Sequence, residues 1–164
     1  MPAKAVVIDT NVLVVANERA PQADSGCVLR CVDALVAAQR NTITAVDAGG
    51  RIVDEYFRNA RRSGQPGVGD AFAKWLFDHQ YQAEFCEQVE ITPMEGDGQD
   101  FVEFPDDPAL AGFDPSDRKF VAVAAASIRG PRVLQATDTK WWQYRRLLAR
   151  HGVHVNFLCP ALMR

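Results

Sequence analysis

The sequence predicts an α/β fold: three layers, α/β/α, with a mostly parallel central sheet. Three observations carry this. Val6-Val7-Ile8 is a β-branched run that stops at Asp9, and an unbroken apolar run reads as a strand buried on both faces, as at the centre of a parallel sheet. Further short apolar runs recur along the chain, separated by segments of helical period. Strands separated by helices imply right-handed crossovers, with helices on both faces of the sheet. The 164 residues correspond to a single domain, 1–164, long enough for a hydrophobic core without staples.

After the opening strand, Thr10-Asn11 leads into the apolar run Val12–Ala16, a short helix that Asn11 is suited to cap. Residues 20–24 form a polar, proline-containing loop, and Ser25 is placed to cap a helix with the stripe Val28, Cys31, Val32, Leu35, closed by Asn41. Thr42–Val46 reads as the second strand and Asp47–Gly50 as a turn. Ile52, Val53, Tyr56, Phe57 and Ala60 follow a helical period. Ser63–Gly69, with three glycines and Pro66, breaks that helix. Ala71–Leu76 is helical again, extending over Tyr81–Phe85, and Val89–Thr92 reads as a short strand. A long loop rich in acid, glycine and proline covers about 93–116, anchored by Phe101 and Phe104; connections of this length are often flaps or mobile segments. Its acids Asp97, Asp100 and Glu103 lack the alternation and terminal Glu of a calcium loop, so the loop reads as solvated. Phe120–Ile128 is an Ala-rich helix, and a strand from Val133 runs towards Thr137 and Asp138. Trp141, Tyr144, Leu148 and His151 mark a helix stopped by Gly152, and Val153–Phe157 is the last strand.

Composition excludes several classes. No apolar run approaches the ~20 residues of a membrane span, and the N-terminus lacks the basic and apolar regions of a signal peptide. The four cysteines, Cys27, Cys31, Cys86 and Cys159, contain no C-x-x-C pair. They read as buried thiols of a reduced, cytoplasmic protein. A net charge of −3 argues against nucleic-acid binding by bulk positive charge, but not against recruitment of phosphate through a bound cation. A P-loop is absent: no glycine-rich GKT or GKS segment occurs.

The acids carry the chemistry. Asp9 and Asp138 both end apolar strands, so in a parallel sheet they share its carboxyl edge, where open α/β folds place ligands. Asp117 shares a helical stripe with Val121, Ala124 and Ile128, which turns it towards the core. Asp114-Pro115-Ser116-Asp117 also has the form of a helix cap, which accounts well for Asp114 and less well for an inward Asp117. Periodicity does not choose between Asp54 and Glu55, and either also suits a first helical turn. The three histidines, His79, His151 and His154, show no ligand spacing.

Four patches together resemble the PIN domain, the nuclease fold of many prokaryotic toxin ribonucleases. Val7-Ile8-Asp9-Thr10-Asn11-Val12-Leu13 resembles its first motif, Gly50-Arg51-Ile52-Val53-Asp54-Glu55-Tyr56 its second, Asp117–Ala124 its third and Ala136-Thr137-Asp138-Thr139-Lys140-Trp141-Trp142 its fourth. The resemblance selects Glu55 over Asp54. It implies a metal-dependent ribonuclease in which Asp9, Glu55, Asp117 and Asp138 bind Mg²⁺ or Mn²⁺ and metal-activated water hydrolyses RNA, with Asn11 and Thr137 orienting those ligands. It further implies an RNA substrate, a possible antitoxin partner and a possible homodimer. Many relatives carry another acid where this chain has Lys140, which weakens the expectation of a second metal and offers a direct phosphate contact instead.

Such a cluster has a physical reason. Phosphodiester hydrolysis builds charge on anionic oxygens, and paired hard cations stabilise it. Without a cation, two carboxylates ~5 Å apart repel by about 3 kcal/mol at an effective dielectric of ~20. Arg58, Arg61, Arg62, Arg118 and Lys140 lie near the motifs and are candidate phosphate contacts. Trp141 fits the core stripe, whereas Trp142 is open to packing or base stacking. Two alternatives compete with the ribonuclease. A haloacid-dehalogenase-like phosphatase also starts from a strand ending in Asp, but needs a second Asp where Asn11 stands. A PIN-like module that binds RNA or protein without cleaving is favoured by Lys140.

Overall fold

The computed structural model describes residues 4–61, 63–96 and 98–163. Five strands form one all-parallel sheet: β1 (Ala5–Ile8), β2 (Ile43–Asp47), β3 (Cys86–Val89), β4 (Arg132–Gln135) and β5 (Val155–Phe157), in the order β3-β2-β1-β4-β5. The helices are α1 (Thr10–Ala16), α2 (Ser25–Arg40), α3 (Arg51–Arg58), α4 (Val68–His79), α5 (Arg118–Ala126) and α6 (Thr139–Arg150). The expected α/β/α class is therefore present. β1 is central, with Val7 opposite Val133 and Ala5 opposite Ile43. From β1 the chain first builds outward through β2 to β3, then returns to add β4 and β5 on the other side. Right-handed crossovers then put α1–α4 on one face and α5 and α6 on the other. This reversal makes the carboxyl ends of β1 and β4 the crevice of the sheet.

Local chemistry explains the elements. β1 and β2 are covered on both faces, so nearly all their residues are buried. Asp47, at the end of β2, is fully enclosed and accepts from the Arg51 and Ile52 N–H groups at 2.9 and 2.8 Å. Gly50, with φ of 81°, makes the left-handed turn that brings those donors round. The start of α3 is thus fixed to the sheet, and Tyr56 adds a 2.5 Å hydrogen bond from its hydroxyl to the Ile8 carbonyl. On the same face, α4 crosses close to α1 because Gly69 has no side chain: a Cβ there would meet the Leu13 carbonyl oxygen at 2.2 Å. Asn17 and Asp70 seal that crossing with reciprocal hydrogen bonds of 2.9 and 3.0 Å.

Several boundaries differ from the sequence reading. The third strand is Cys86–Val89 rather than Val89–Thr92. Its polar Glu87 resembles loop, yet at the sheet edge it is satisfied by the Ser127 hydroxyl at 2.8 Å and by Arg129. Tyr81–Phe85 is turn, not helix; α4 stops at His79, whose ring bonds the Trp75 carbonyl at 2.7 Å, and Phe85 folds back against Trp75. The caps of α1 and α2 are Asp9 and Asp24 rather than Asn11 and Ser25. α5 ends at Ala126, so Ile128 leaves the expected inward stripe and is exposed, while Val121 and Ala124 are buried.

The long connection is pinned to the core at a few anchors, while most of its described residues are solvated, as expected. Phe101, Leu110 and Phe113 are buried and Phe104 packs beside them. The Arg118 guanidinium reaches the Asp100 carboxylate, donates to the Ala111 carbonyl at 2.9 Å and to that of Phe113 at 3.1 Å, and lies over the Phe104 ring. Asp114 is held by Lys140 at 2.6 Å and Asp107 by His151 at 2.9 Å. Asp97 lies outside the described residues.

The cysteine expectation needs correction. Cys27 and Cys159 form a disulfide across 132 residues of sequence, and only Cys31 and Cys86 are free, buried thiols. The pairing is a product of the fold: the segment after β5 returns to α2, where Arg30 Nε donates to the Leu158 carbonyl at 2.7 Å. A cytoplasmic location inferred from four reduced thiols loses that support. Among the described residues no helix is long and apolar enough to cross a membrane.

Replacement of Gly69 by alanine is expected to destabilise the fold by about 1–3 kcal/mol, the usual effect of overpacking. Urea unfolding followed by circular dichroism measures it; an unchanged midpoint would show that α4 shifts away from α1 freely.

Candidate metal centre

The four acids come from four separate segments: three from turns that follow β1, follow β4 or precede α5, and Glu55 from within α3. Asp9 follows β1 and Asp138 follows β4, so both stand at the crevice where the sheet reverses. Glu55 projects from α3, and Asp117 ends the short 3-10 turn that leads into α5. Glu55 is half-buried and bonded to Thr10 and Lys119, while Asp54 is exposed, and both line the adjoining cleft.

Asp9 is the most enclosed of the four, at 5% exposure. Its Oδ2 accepts from the Asn11 N–H at 3.0 Å, which caps α1. Capping and membership of the acidic cluster are thus two roles of one side chain. Burial, then the charges of Asp117 and Glu55, push its pKa up to about 8, against the opposing pull of the Asn11 N–H and the Gln135 amide. Asp117 is raised to about 6 by burial first, then by Asp114, Asp138 and Glu55, with Lys140 acting the other way. These effects link Asp9 to Asp117 and Glu55, and Asp117 to Asp138 and Glu55. The acids are a loose ring: among the described residues no three carboxylates bring oxygens within 4.8 Å of one another.

Two lysines partly neutralise the ring. Lys119, buried at 8% exposure, donates to Glu55 Oε1 at 2.8 Å and to the Ser116 carbonyl. The Thr10 hydroxyl donates to the other Glu55 oxygen. Lys140, at the outer rim, holds Asp114 and brings that carboxyl down to about 2. Asn11 Oδ1 accepts from the Thr137 N–H at 2.6 Å and its hydroxyl at 2.9 Å. Asn11 and Thr137 therefore tie the turn after β1 to the turn after β4 and fix the spacing of Asp9 and Asp138. Beneath them Gln135 Oε1 accepts from Ala136 N at 2.8 Å. Its Nε2 is buried without a partner of normal hydrogen-bond geometry, although the amide favours the charged form of Asp9.

A cleft of about 280 Å³ opens beside this ring. Glu55, Arg58, Ser116 and Lys119 contribute to its walls, whereas Asp9, Asp117 and Asp138 do not. Of the four acids the cleft therefore touches Glu55 alone, together with the neighbouring Asp54. Arg58 and Arg61 are exposed and Lys140 is at the rim, positions open to a phosphate. Arg118 is committed to the loop described above, and Arg62 lies outside the described residues. Trp141 is fully buried, as the core stripe implies, and Trp142 is covered by the Arg145 guanidinium at 3.6 Å and by Phe157.

Lys119 and Gln135 are the site residues that motif spacing did not single out. Gln135 had a signal, a lone amide in an apolar strand. Lys119 had only its place beside Asp117. All-oxygen donors suit a hard divalent cation, and the enclosed charge of Asp9 and Asp117 suits one too. Glu55 fits on the condition that Lys119 releases it. No protein-family model, curated protein or solved structure matches the chain. The fold and site define an α/β protein with a buried acidic crevice, and the PIN resemblance rests on the order and spacing of its four motifs.

Two outcomes are expected. The raised Asp9 carboxyl favours the folded state while it is protonated and opposes it as it ionises, so its contribution is lost as pH rises from about 4 towards 8. With chelator present, Asp9→Asn should therefore raise the melting temperature at pH 8 and show no gain near pH 3.5. Equal gains at both values would trace the effect to packing instead. Lys119→Met should tighten Mn²⁺ binding by about tenfold, roughly 1.4 kcal/mol, in a calorimetric titration. Weaker binding would show that Lys119 positions Glu55 for the cation rather than competing with it.

Proposed function

We propose that the protein is a metal-dependent ribonuclease of PIN-like type. The observation that carries this reading is the pair Asp9 and Asp117 at the crevice of a parallel sheet, Asp9 raised by burial and by the charge of Asp117, and Asp117 raised by burial and by the charges of Asp114, Asp138 and Glu55. A buried acid such as Asp9 beside a second, half-buried one weakens a fold when no cation neutralises them, and a ligand of opposite charge accounts for the arrangement. Asp9, Asp117, Asp138 and, after release from Lys119, Glu55 would hold Mg²⁺ or Mn²⁺. The bound ion would supply charge stabilisation and an activated water.

The chain's own residues supply the rest. The Asn11–Thr137 bridge keeps the two strand-end acids at constant spacing. Arg58, Arg61 and Lys140 offer cationic contacts to an RNA backbone approaching through the cleft, and a freed Lys119 ammonium would face the same phosphate. An RNA substrate, a protein antitoxin that occupies the cleft and a homodimer belong to this reading.

A second reading is favoured by the two lysine pairs. Lys119 on Glu55 and Lys140 on Asp114 neutralise part of the ring internally, as a non-cleaving PIN-like module that binds RNA or protein would require. Incubation of the parent protein and Asp9→Asn with structured RNAs, in Mn²⁺, Mg²⁺ or EDTA, separates the two. Cleavage that requires metal and falls by at least about 100-fold in Asp9→Asn is expected. RNA binding without cleavage under all conditions would select the binding module.

A further inference from the structure

A second cluster of chemically capable side chains takes no part in the acidic ring. The sulfurs of Cys27, Cys31 and Cys159 all lie within 4.8 Å of one another, and the three residues are 1%, 0% and 1% exposed. Cys27 and Cys31 lie one turn apart on the inward face of α2. Cys159 arrives from the segment after β5, which is fixed by the hydrogen bonds from Arg30 Nε to the Leu158 carbonyl and from Leu158 N to the Gln135 carbonyl, 2.7 and 2.8 Å. The Cys27–Cys159 disulfide accounts for two of the sulfurs and leaves Cys31 as a free thiol against it. A covalent staple requires two cysteines; the third sulfur, within 4.8 Å of both, is unexplained by it.

We propose that reduction of the Cys27–Cys159 disulfide converts this cluster into a three-sulfur site for one soft d¹⁰ cation of the Cu⁺ class. Sulfur donors select soft ions over Mg²⁺, Mn²⁺ or Ca²⁺. Zn²⁺ calls for four ligands, and among the described residues no fourth His, Cys, Asp or Glu joins the group. Near-complete burial also closes the cluster to water as a fourth ligand. Cu⁺ is satisfied by two or three thiolates. With metal–sulfur bonds of ~2.3 Å the sulfurs of a trigonal site stand about 4 Å apart, inside the observed spread. Burial pushes the Cys31 thiol up to about 12, with Arg30 pulling the other way, so an incoming cation must displace a thiol proton.

The chemistry balances with a phosphine as reductant. The phosphorus donates an electron pair, the S–S bond breaks, and water supplies a proton to each sulfur and its oxygen to the phosphine oxide. Binding of Cu⁺ then releases thiol protons to solvent. In the oxidised chain only Cys31 offers a thiol, and the site is closed.

The test uses the full chain, reduced with a phosphine, and Cu⁺ presented as its bicinchoninate complex, whose absorbance falls as the protein withdraws the ion. The reduced parent should take up one Cu⁺ per chain and the oxidised parent none. Cys31→Ser and Cys31→Ala should each lose at least about tenfold in affinity, and Cys86→Ser, on β3, should behave as the parent. X-ray absorption of the loaded parent, which needs no variant to fold, should show three sulfur scatterers around copper. Equal uptake by the oxidised chain, parent-like affinity in both Cys31 variants, loss in Cys86→Ser, or a two-sulfur environment would each overturn the assignment.

Discussion

The carboxylate of Asp9 is enclosed at the end of the central strand and faces other acids, and an ionised group in that position must be answered from its surroundings. The cost of removing a carboxylate from water is several kcal/mol even after relaxation, so each neighbour has a task. The Asn11 N–H and the Gln135 amide present positive ends to Asp9. Lys119 and Lys140 answer the adjoining acids Glu55 and Asp114. The crevice itself follows from topology, because β1 and β4 are the strands from which the chain departs in opposite directions. The turn chemistry after both strands, with Asn11 bound to Thr137, then sets how closely the charges can stand.

The parts of this arrangement that were legible in the sequence are those written in local pattern. Val6–Ile8 reads as a central strand because burial on both faces removes any alternation. Asp9 and Asp138 fall at strand ends, and the motif order picks Glu55 from its neighbour; Glu55 is half-buried and Asp54 exposed, and both line the cleft. What was not legible depends on partners distant in sequence. Glu87 makes an edge strand resemble loop until Ser127 and Arg129 are seen to satisfy it. Cys27 pairs with Cys159, and Arg118 clamps a loop that composition alone presents as free. Lys119 is the clearest case: a charged residue in a basic run reads as solvated surface, and only the position of α3 shows that Glu55 waits for it.

The internal ion pairs give the crevice a resting state that is neither fully charged nor neutral. Glu55 is engaged by Lys119 and Thr10, while among the described residues no cation forms an ion pair with Asp9 or Asp117. Any cation that enters meets two classes of acid, one available and one already held. Affinity in such a site reflects exchange of an ammonium as much as capture of a metal, and a bound polyanion would supply the displaced ammonium with a new partner.

Asp117, Arg118 and Lys119 have three different addresses. The first turns into the acidic ring, the second grips the 93–116 connection, and the third crosses to α3. Successive residues of a helix point about 100° apart, and here all three directions are used at once. This ties the catalogue of tolerated sequences at that point to backbone phase rather than to residue type. A one-residue insertion between Lys119 and Phe120 would move each of the three back by one position relative to the rest of α5, sending the Arg118 cation into the ring and Asp117 out of it. Changes to this chain should therefore be tolerated as substitutions along α5 and as changes of length only in segments such as 63–66, where the chain is exposed and no helical phase is at stake.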